Sequence, residues 1–243
     1  MKISRLSETD ETLFSGHHVR PELSFVVPAF NEESNIAETI RRIDQEARKL
    51  VGSFEIIIVD DGSSDQTFQK SKDAGADMPL RLLRLSRNFG KEQAIMAGLE
   101  ASKGMAVVIL DADLQEPLCH LRVMLQHRAE GYDVVYAVRA HRNDETVLKR
   151  LLTRIFYKLL NLGSDADIPA DARDFRLMDR KVVQELCNLP EKNRFMKGLY
   201  GWVGFRSIAV PIELAPRGAG KSSFGLGGLL KHGLTGMTSF TSW

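Results

Sequence analysis

The chain has 243 residues, with 33 Lys and Arg against 32 Asp and Glu, so no global charge points to nucleic acid. A hydrophobic content of 43% with 27% charged residues excludes wholesale disorder and suffices for one large domain, or one domain plus an appendage. Cys119 and Cys187 stand alone, make no metal-type spacing and fit a reducing compartment. Residues 1–21 have no apolar core, so they read as a mobile polar arm and not as a signal peptide. No stretch reaches the ~18 apolar residues of a membrane span.

Strand-like and helical patterns then alternate. Leu23–Val27 is a first strand, ended by Pro28. Asn35–Leu50 has helical periodicity, with Asn35 as N-cap and Glu38 three residues on, as in a capping box. Phe54–Val59 is β-branched and apolar enough for a strand buried on both faces. Ser64 or Asp65 caps a short helix to about Ala74, Leu80–Leu85 alternates as a third strand, and Lys91–Ala101 is helical. Met105–Leu110 is a fourth strand, Leu118–Glu130 a helix closed by Gly131, and Asp133–Ala137 a fifth strand. This rhythm predicts an α/β fold with a mostly parallel sheet, helices on both faces and right-handed crossovers.

Beyond Arg139 the pattern changes. Glu145–Leu160 is amphipathic, with Arg150, Arg154 and Lys158 in a basic stripe, which reads either as a solvated face or as a surface for anionic lipid. Phe175–Met178 reads as a strand, Lys181–Leu186 as a short helix and Ala209–Leu214 as another strand. Phe224–Trp243 combines apolar residues at helical spacing with five glycines and basic residues, which suits a membrane surface or a face that packs on a second subunit.

Ligands of such sheets bind beyond the carboxyl ends of the strands. PAFNEE, DDGSSD, SRNFGK and DADLQEP follow the first four strands at that edge. Asp111 and Asp113, with Gln115, offer hard oxygens for Mg²⁺ or Mn²⁺ bridging to a diphosphate; alone, the same acids would read as a capping turn. A carboxylate of Asp60-Asp61 can accept from a base or ribose, and Phe30 offers a stacking face. Neither a GxGxxG nor a GxxxxGK[ST] pattern occurs in these loops, which argues against a dinucleotide site or a P-loop.

VVPAFNEE, IIIVDDGSSDQT, LSRNFGKEQAIMAGL, ILDADLQEP and DFRLMDR together resemble the inverting glycosyltransferases of family 2. More narrowly, they resemble the polyisoprenyl-phosphate sugar transferases, such as dolichyl-phosphate mannose synthase and bacterial undecaprenyl-phosphate glucosyltransferases. The resemblance runs from about Leu23 to Lys221. It implies a GT-A catalytic domain over residues 22–215, a basic and apolar juxtamembrane segment over 216–243, and membrane helices beyond residue 243. By position, Pro28, Phe30, Glu32, Val59 and Asp61 would hold base and ribose, with Phe30 where a Tyr is usual. Asp111, Ala112 and Asp113 would face the diphosphate, and Asp113 and Gln115 match the metal ligands, with Asp111 nearby or water-linked. Arg217 and Lys221 would reach the diphosphate, although Ser223 stands where the family's Lys usually falls.

The implied reaction moves a hexose from a nucleoside-diphosphate sugar, UDP-glucose first and GDP-mannose next, to a polyisoprenyl phosphate on the cytoplasmic face of a membrane. The acceptor phosphate is largely dianionic at neutral pH, since its second pKa is ~6. It therefore needs cations to place it, and Arg139, Arg154 and Arg176 are the candidates. Asp174 matches a family carboxylate near the reacting centre, either as base and acceptor orienter or as a structural ion pair with Arg173, Arg176 or Arg180. Lys91 and Arg87 contact the donor or simply begin a helix. Other acceptors (a glycan, a protein, another lipid) and a non-catalytic nucleotide-sugar-binding module are the competing expectations, and the apolar tail allows a homo-oligomer.

Overall fold

The apolar runs of the sequence become the centre of one mixed sheet. The computed structural model describes residues 20–113, 115–140, 172–190 and 196–213. Its strands are β1 (Leu23–Ala29), β2 (Phe54–Asp60), β3 (Leu80–Arg84), β4 (Ala106–Ile109), β5 (Val134–Arg139), β6 (Ala172–Asp179) and β7 (Ser207–Ile212). They lie in the order β3-β2-β1-β4-β6-β5-β7. Parallel pairing joins β1 to β2 and β4, β2 to β3, and β5 to β7, whereas β6 runs antiparallel to both β4 and β5.

The helices are α1 (Ile36–Leu50), α2 (Thr67–Ala74), α3 (Lys91–Ala101), α4 (Leu121–Ala129), α5 (Arg180–Asn188) and α6 (Met196–Trp202). Successive strand residues serve opposite layers, as the two-residue period of a strand requires. Phe25, Val27, Ile56 and Ile58 pack with Ile36, Ile40 and Ile43 of α1 and with Leu121 and Met124 of α4. Val26, Ile57, Val59, Val107 and Ile109 pack with α3, α5 and α6 through Ala94, Ile95, Val182, Leu186 and Leu199. Each fully buried Ile or Val side chain contributes about 1.5–3 kcal/mol of transfer free energy. No helix among the described residues is long and apolar enough to cross a membrane.

Three sequence expectations change in detail. β1 continues through Pro28 to Ala29, because β4 pairs with β1 only as far as Val26 and Pro28 lies where the strand has β2 alone beside it. The capping box at α1 does not form. The Asn35 carboxamide instead donates to Glu32 Oε2 (2.9 Å), and Glu38 pairs with Arg41 and Arg42. The fourth helix begins as a single 3₁₀ turn, Leu118–His120, before the α-helical part. Neither Ser64 nor Asp65 is the N-cap of α2, which is Gln66, but Asp65 Oδ1 accepts from the Thr67 N–H at 2.9 Å from one residue before it.

Gly98 sets the distance between α3 and the sheet. A Cβ there would come within 2.3 Å of Val26 Cγ1 and 3.2 Å of Val59 Cγ2. Gly98→Ala is therefore expected to destabilise the protein by about 1–3 kcal/mol, the usual cost of overpacking a filled core. Chemical denaturation measures this loss, and an unchanged midpoint would show that α3 lifts off the sheet freely.

Candidate active site

The carboxyl edge of β1, β2 and β4 is built from loops that fasten one another. Asn31 adopts the left-handed conformation (φ 55°), which an Asn tolerates better than most residues. Its N–H donates to Ser63 Oγ (2.9 Å) and its Oδ1 accepts from the Ser64 N–H (3.0 Å). The Glu32 N–H donates to Thr67 Oγ1 (2.8 Å). This pairing leaves the Phe30 ring 43% exposed at the edge, available for stacking.

The two aspartates that end β2 have separate tasks. Asp60 is fully buried; its Oδ1 accepts from the Ser63 N–H (3.0 Å), and Arg84 Nε lies 3.1 Å from Oδ2. Asp61 is also buried, with Oδ1 and Oδ2 accepting from the backbone N–H groups of Phe89 and Gly90, each at 2.8 Å. Burial raises its pKa above the ordinary carboxylate value, while the two N–H groups pull the other way. Gly62 has φ +69°, and a Cβ there would meet the Arg87 carbonyl carbon at 2.5 Å. The second and third loops are thus latched together directly ahead of α3.

β4 and β6 bring the catalytic candidates together. Ile109 pairs with Arg176 in antiparallel register, so two residues further along the edge Asp111 comes beside Asp174. Lys91, the first residue of α3, lies between them: its Nζ is 2.5 Å from Asp111 Oδ1 and 2.5 Å from Asp174 Oδ2. Asp113 Oδ1 accepts from the Gln115 N–H (3.2 Å), and the Ala112 carbonyl accepts from Thr39 Oγ1 (2.8 Å). Arg139 ends β5 at the same edge, paired in register with Ile212.

Several predicted residues have surroundings the sequence did not reveal. Val59 is fully buried beneath α3, and Pro28 is buried opposite it in β1. Arg176 is only 3% exposed; its guanidinium donates to the Arg173 carbonyl (2.8 Å) and stacks 3.4 Å from the centroid of the Tyr200 ring. Asp174 pairs with Lys91, whereas Arg173 pairs with Glu116 (3.3 Å) and Arg180 donates to the Gly104 carbonyl. Arg154, Arg217 and Lys221, the basic stripe, the N-terminal arm through residue 19 and the 216–243 segment lie outside the described residues.

Glu116 is the residue that sequence reasoning missed. Its carboxylate is buried, its Oε2 faces the Asp111 N–H at 3.4 Å, and Arg173 lies against Oε1. Burial, then the nearby charge of Asp111, pushes its pKa up to about 7. It directly follows Gln115, so its signal was in plain view; the partner that explains it comes from a distant strand.

The donor set suits a hard divalent cation. Asp111, Asp113 and Gln115 offer two carboxylates and a carboxamide oxygen, the donor types that Mg²⁺ and Mn²⁺ take. Among the described residues no cluster of three His, Cys, Asp or Glu forms a metal cage.

Residues 24–187 match the family described as "Glycosyl transferase family 2". The chain is 41% identical over 221 residues to an uncharacterized glycosyltransferase of Synechocystis, covering 90% of this chain and 70% of that protein. It is 38% identical over 223 residues to a bactoprenol glucosyl transferase of Shigella phage SfV, covering 91% and 73% respectively. Among solved structures, the mannosyltransferase PcManGT of Pyrobaculum calidifontis, in complex with GDP-Man and Mn²⁺, superposes with a TM-score of 0.57 at 20% identity, covering 84% of this chain and 59% of that one. The mostly parallel sheet with helices on both faces is the expected GT-A type, and the chain belongs to glycosyl transferase family 2.

Proposed function

We propose that this glycosyltransferase moves a hexose from a nucleoside-diphosphate sugar to a polyisoprenyl phosphate, with inversion, at the cytoplasmic face of a membrane. UDP-glucose is the first-choice donor and GDP-mannose the second. The observation that carries the reading is the meeting of Asp111, on the donor loop, with Asp174, on β6, across one ammonium at the carboxyl edge. The relative named as a bactoprenol glucosyl transferase, at 38% identity, supports both glucose and a polyprenyl acceptor.

An acceptor phosphate oxygen forms a bond to the anomeric carbon while the bond to the diphosphate breaks, and the electron pair leaves with the nucleoside diphosphate. Because the acceptor is largely dianionic above pH ~6, no strong base is required, and orientation decides the rate. Phe30 stacks on the base. Asp113 and Gln115 would hold a divalent cation, which supplies charge neutralisation at the leaving diphosphate. Arg139 receives the acceptor phosphate; Arg154 would share that task and Arg217 and Lys221 would meet the diphosphate, all three lying outside the described residues. Arg176, two residues along β6 from Asp174, is a buried positive charge.

The test is a panel of nucleotide sugars with Mg²⁺ or Mn²⁺ and a short-chain prenyl phosphate. Transfer from one donor to the prenyl phosphate is the expected result, and transfer only to a glycan, a protein or an uncharged lipid would overturn the acceptor class. Arg139→Ala is expected to lower transfer by about 10²-fold or more while nucleotide-sugar binding survives, since it removes a charge-assisted contact to the acceptor alone. Equal loss of donor binding, measured by calorimetry, would place Arg139 on the donor side instead.

A further inference from the structure

Lys91 joins the two halves of the site, and its own position is fixed from both sides. The backbone N–H groups just before it, at Phe89 and Gly90, are held by Asp61, and Glu92, just after it, accepts from the Met196 N–H of α6 at 3.0 Å. The ammonium therefore approaches Asp111 and Asp174 from a pinned helix start.

An ammonium 2.5 Å from Asp111 Oδ1 competes with any metal for that oxygen. A divalent ion on the same atom would stand against a full positive charge only a few ångströms away. We propose that Lys91 is a positioning residue that divides the carboxylates: it reserves Asp111, leaving the divalent cation to Asp113 and Gln115, and through Asp111 it fixes Asp174 relative to the donor. The inference rests on the metal-assisted transfer proposed above and adds a residue to it. Its consequence runs against ordinary expectation, because removing the lysine improves metal binding while it impairs transfer.

The experiment uses the full chain without nucleotide and follows free Mn²⁺ by electron paramagnetic resonance during titration. Lys91→Met and Lys91→Gln are expected to bind Mn²⁺ on the order of tenfold more tightly, because a cation adjoining the site is gone and Asp111 is released. Their kcat is expected to fall by about 10–10²-fold, because Asp174 loses its fixed orientation. Lys91→Arg keeps the charge and restores Mn²⁺ affinity to within about twofold of native. In an Asp111→Asn background, Lys91→Met loses most of its effect on Mn²⁺.

Two neutral variants keep the test alive should one fail to fold, as far-UV circular dichroism would reveal. Mn²⁺ affinity that is unchanged or weaker in the folded neutral variants, with native transfer still metal-dependent, overturns the role of Lys91 alone. A native chain that transfers hexose and binds no Mn²⁺ overturns the metal reading and this inference with it.

Discussion

Asp113→Ala is expected to reduce hexosyl transfer by at least about 10²–10³-fold while leaving the fold intact, the scale on which a single stabiliser of developing negative charge acts. Asp113 is one of the two residues to which the divalent cation is assigned, and the other, Gln115, offers only a neutral oxygen. The carboxylate is partly exposed, and the bond it accepts from the Gln115 N–H is local. Losing such a bond costs about 1 kcal/mol. Catalysis and stability should therefore separate cleanly. Transfer measured against Mn²⁺ concentration, alongside a thermal melt, tests both halves. Native-like transfer by a folded Asp113→Ala protein would remove Asp113 from the reaction and require another home for the cation.

The contrast with Asp111 sharpens this expectation. Only Ala112 separates the two acids, yet Asp111 already has an ammonium at 2.5 Å while Asp113 lies further along the loop, bonded to the backbone of Gln115. Asp111→Ala would leave Lys91 charged and paired with Asp174 alone, so its defect should appear in the placement of the acceptor as well as in the donor.

Local pattern was enough for the parts of the fold that local pattern controls. The runs around Phe25, Ile57 and Val108 are buried on both faces, so a short apolar stretch reads as a central strand whatever its neighbours. The loops PAFNEE, DDGSSD and DADLQEP were placed at one edge because parallel strands share a carboxyl end. The entry of β6 between β4 and β5 was not legible, since strand order depends on partners and not on the strand's own residues. That insertion is what puts Asp174 beside Asp111, so their meeting across Lys91 was not legible for the same reason, although the family resemblance marks both carboxylates as site residues. Lys91 and Asp174 are 83 residues apart, and no periodicity links them. At α1 the local signal was present and misleading: Glu32 competes for the Asn35 side chain, so the Asn35–Glu38 spacing produced no capping box.

Asp61→Asn is expected to be nearly as damaging as Asp61→Ala, although Asn preserves the shape of the side chain. Both carboxylate oxygens of Asp61 accept from backbone donors, Phe89 N–H and Gly90 N–H, at 2.8 Å. A carboxamide has one acceptor atom and one NH₂ group, so either orientation sets a donor against a donor in a buried place. An unmet buried donor costs about 1–3 kcal/mol, and bonds to a charged acceptor lie at the upper end of the hydrogen-bond range. Asn should therefore lose about 2–3 kcal/mol by chemical denaturation, and Ala, which leaves both N–H groups unpaired, somewhat more. The damage should also reach the chemistry, because Gly90 immediately precedes Lys91 and its release frees the ammonium that joins Asp111 to Asp174. Donor affinity and kcat should fall together, whereas a residue that only touched the base would alter donor affinity alone. An Asp61→Asn protein with native stability and native kcat would show that the latch between the second and third loops carries neither fold nor function.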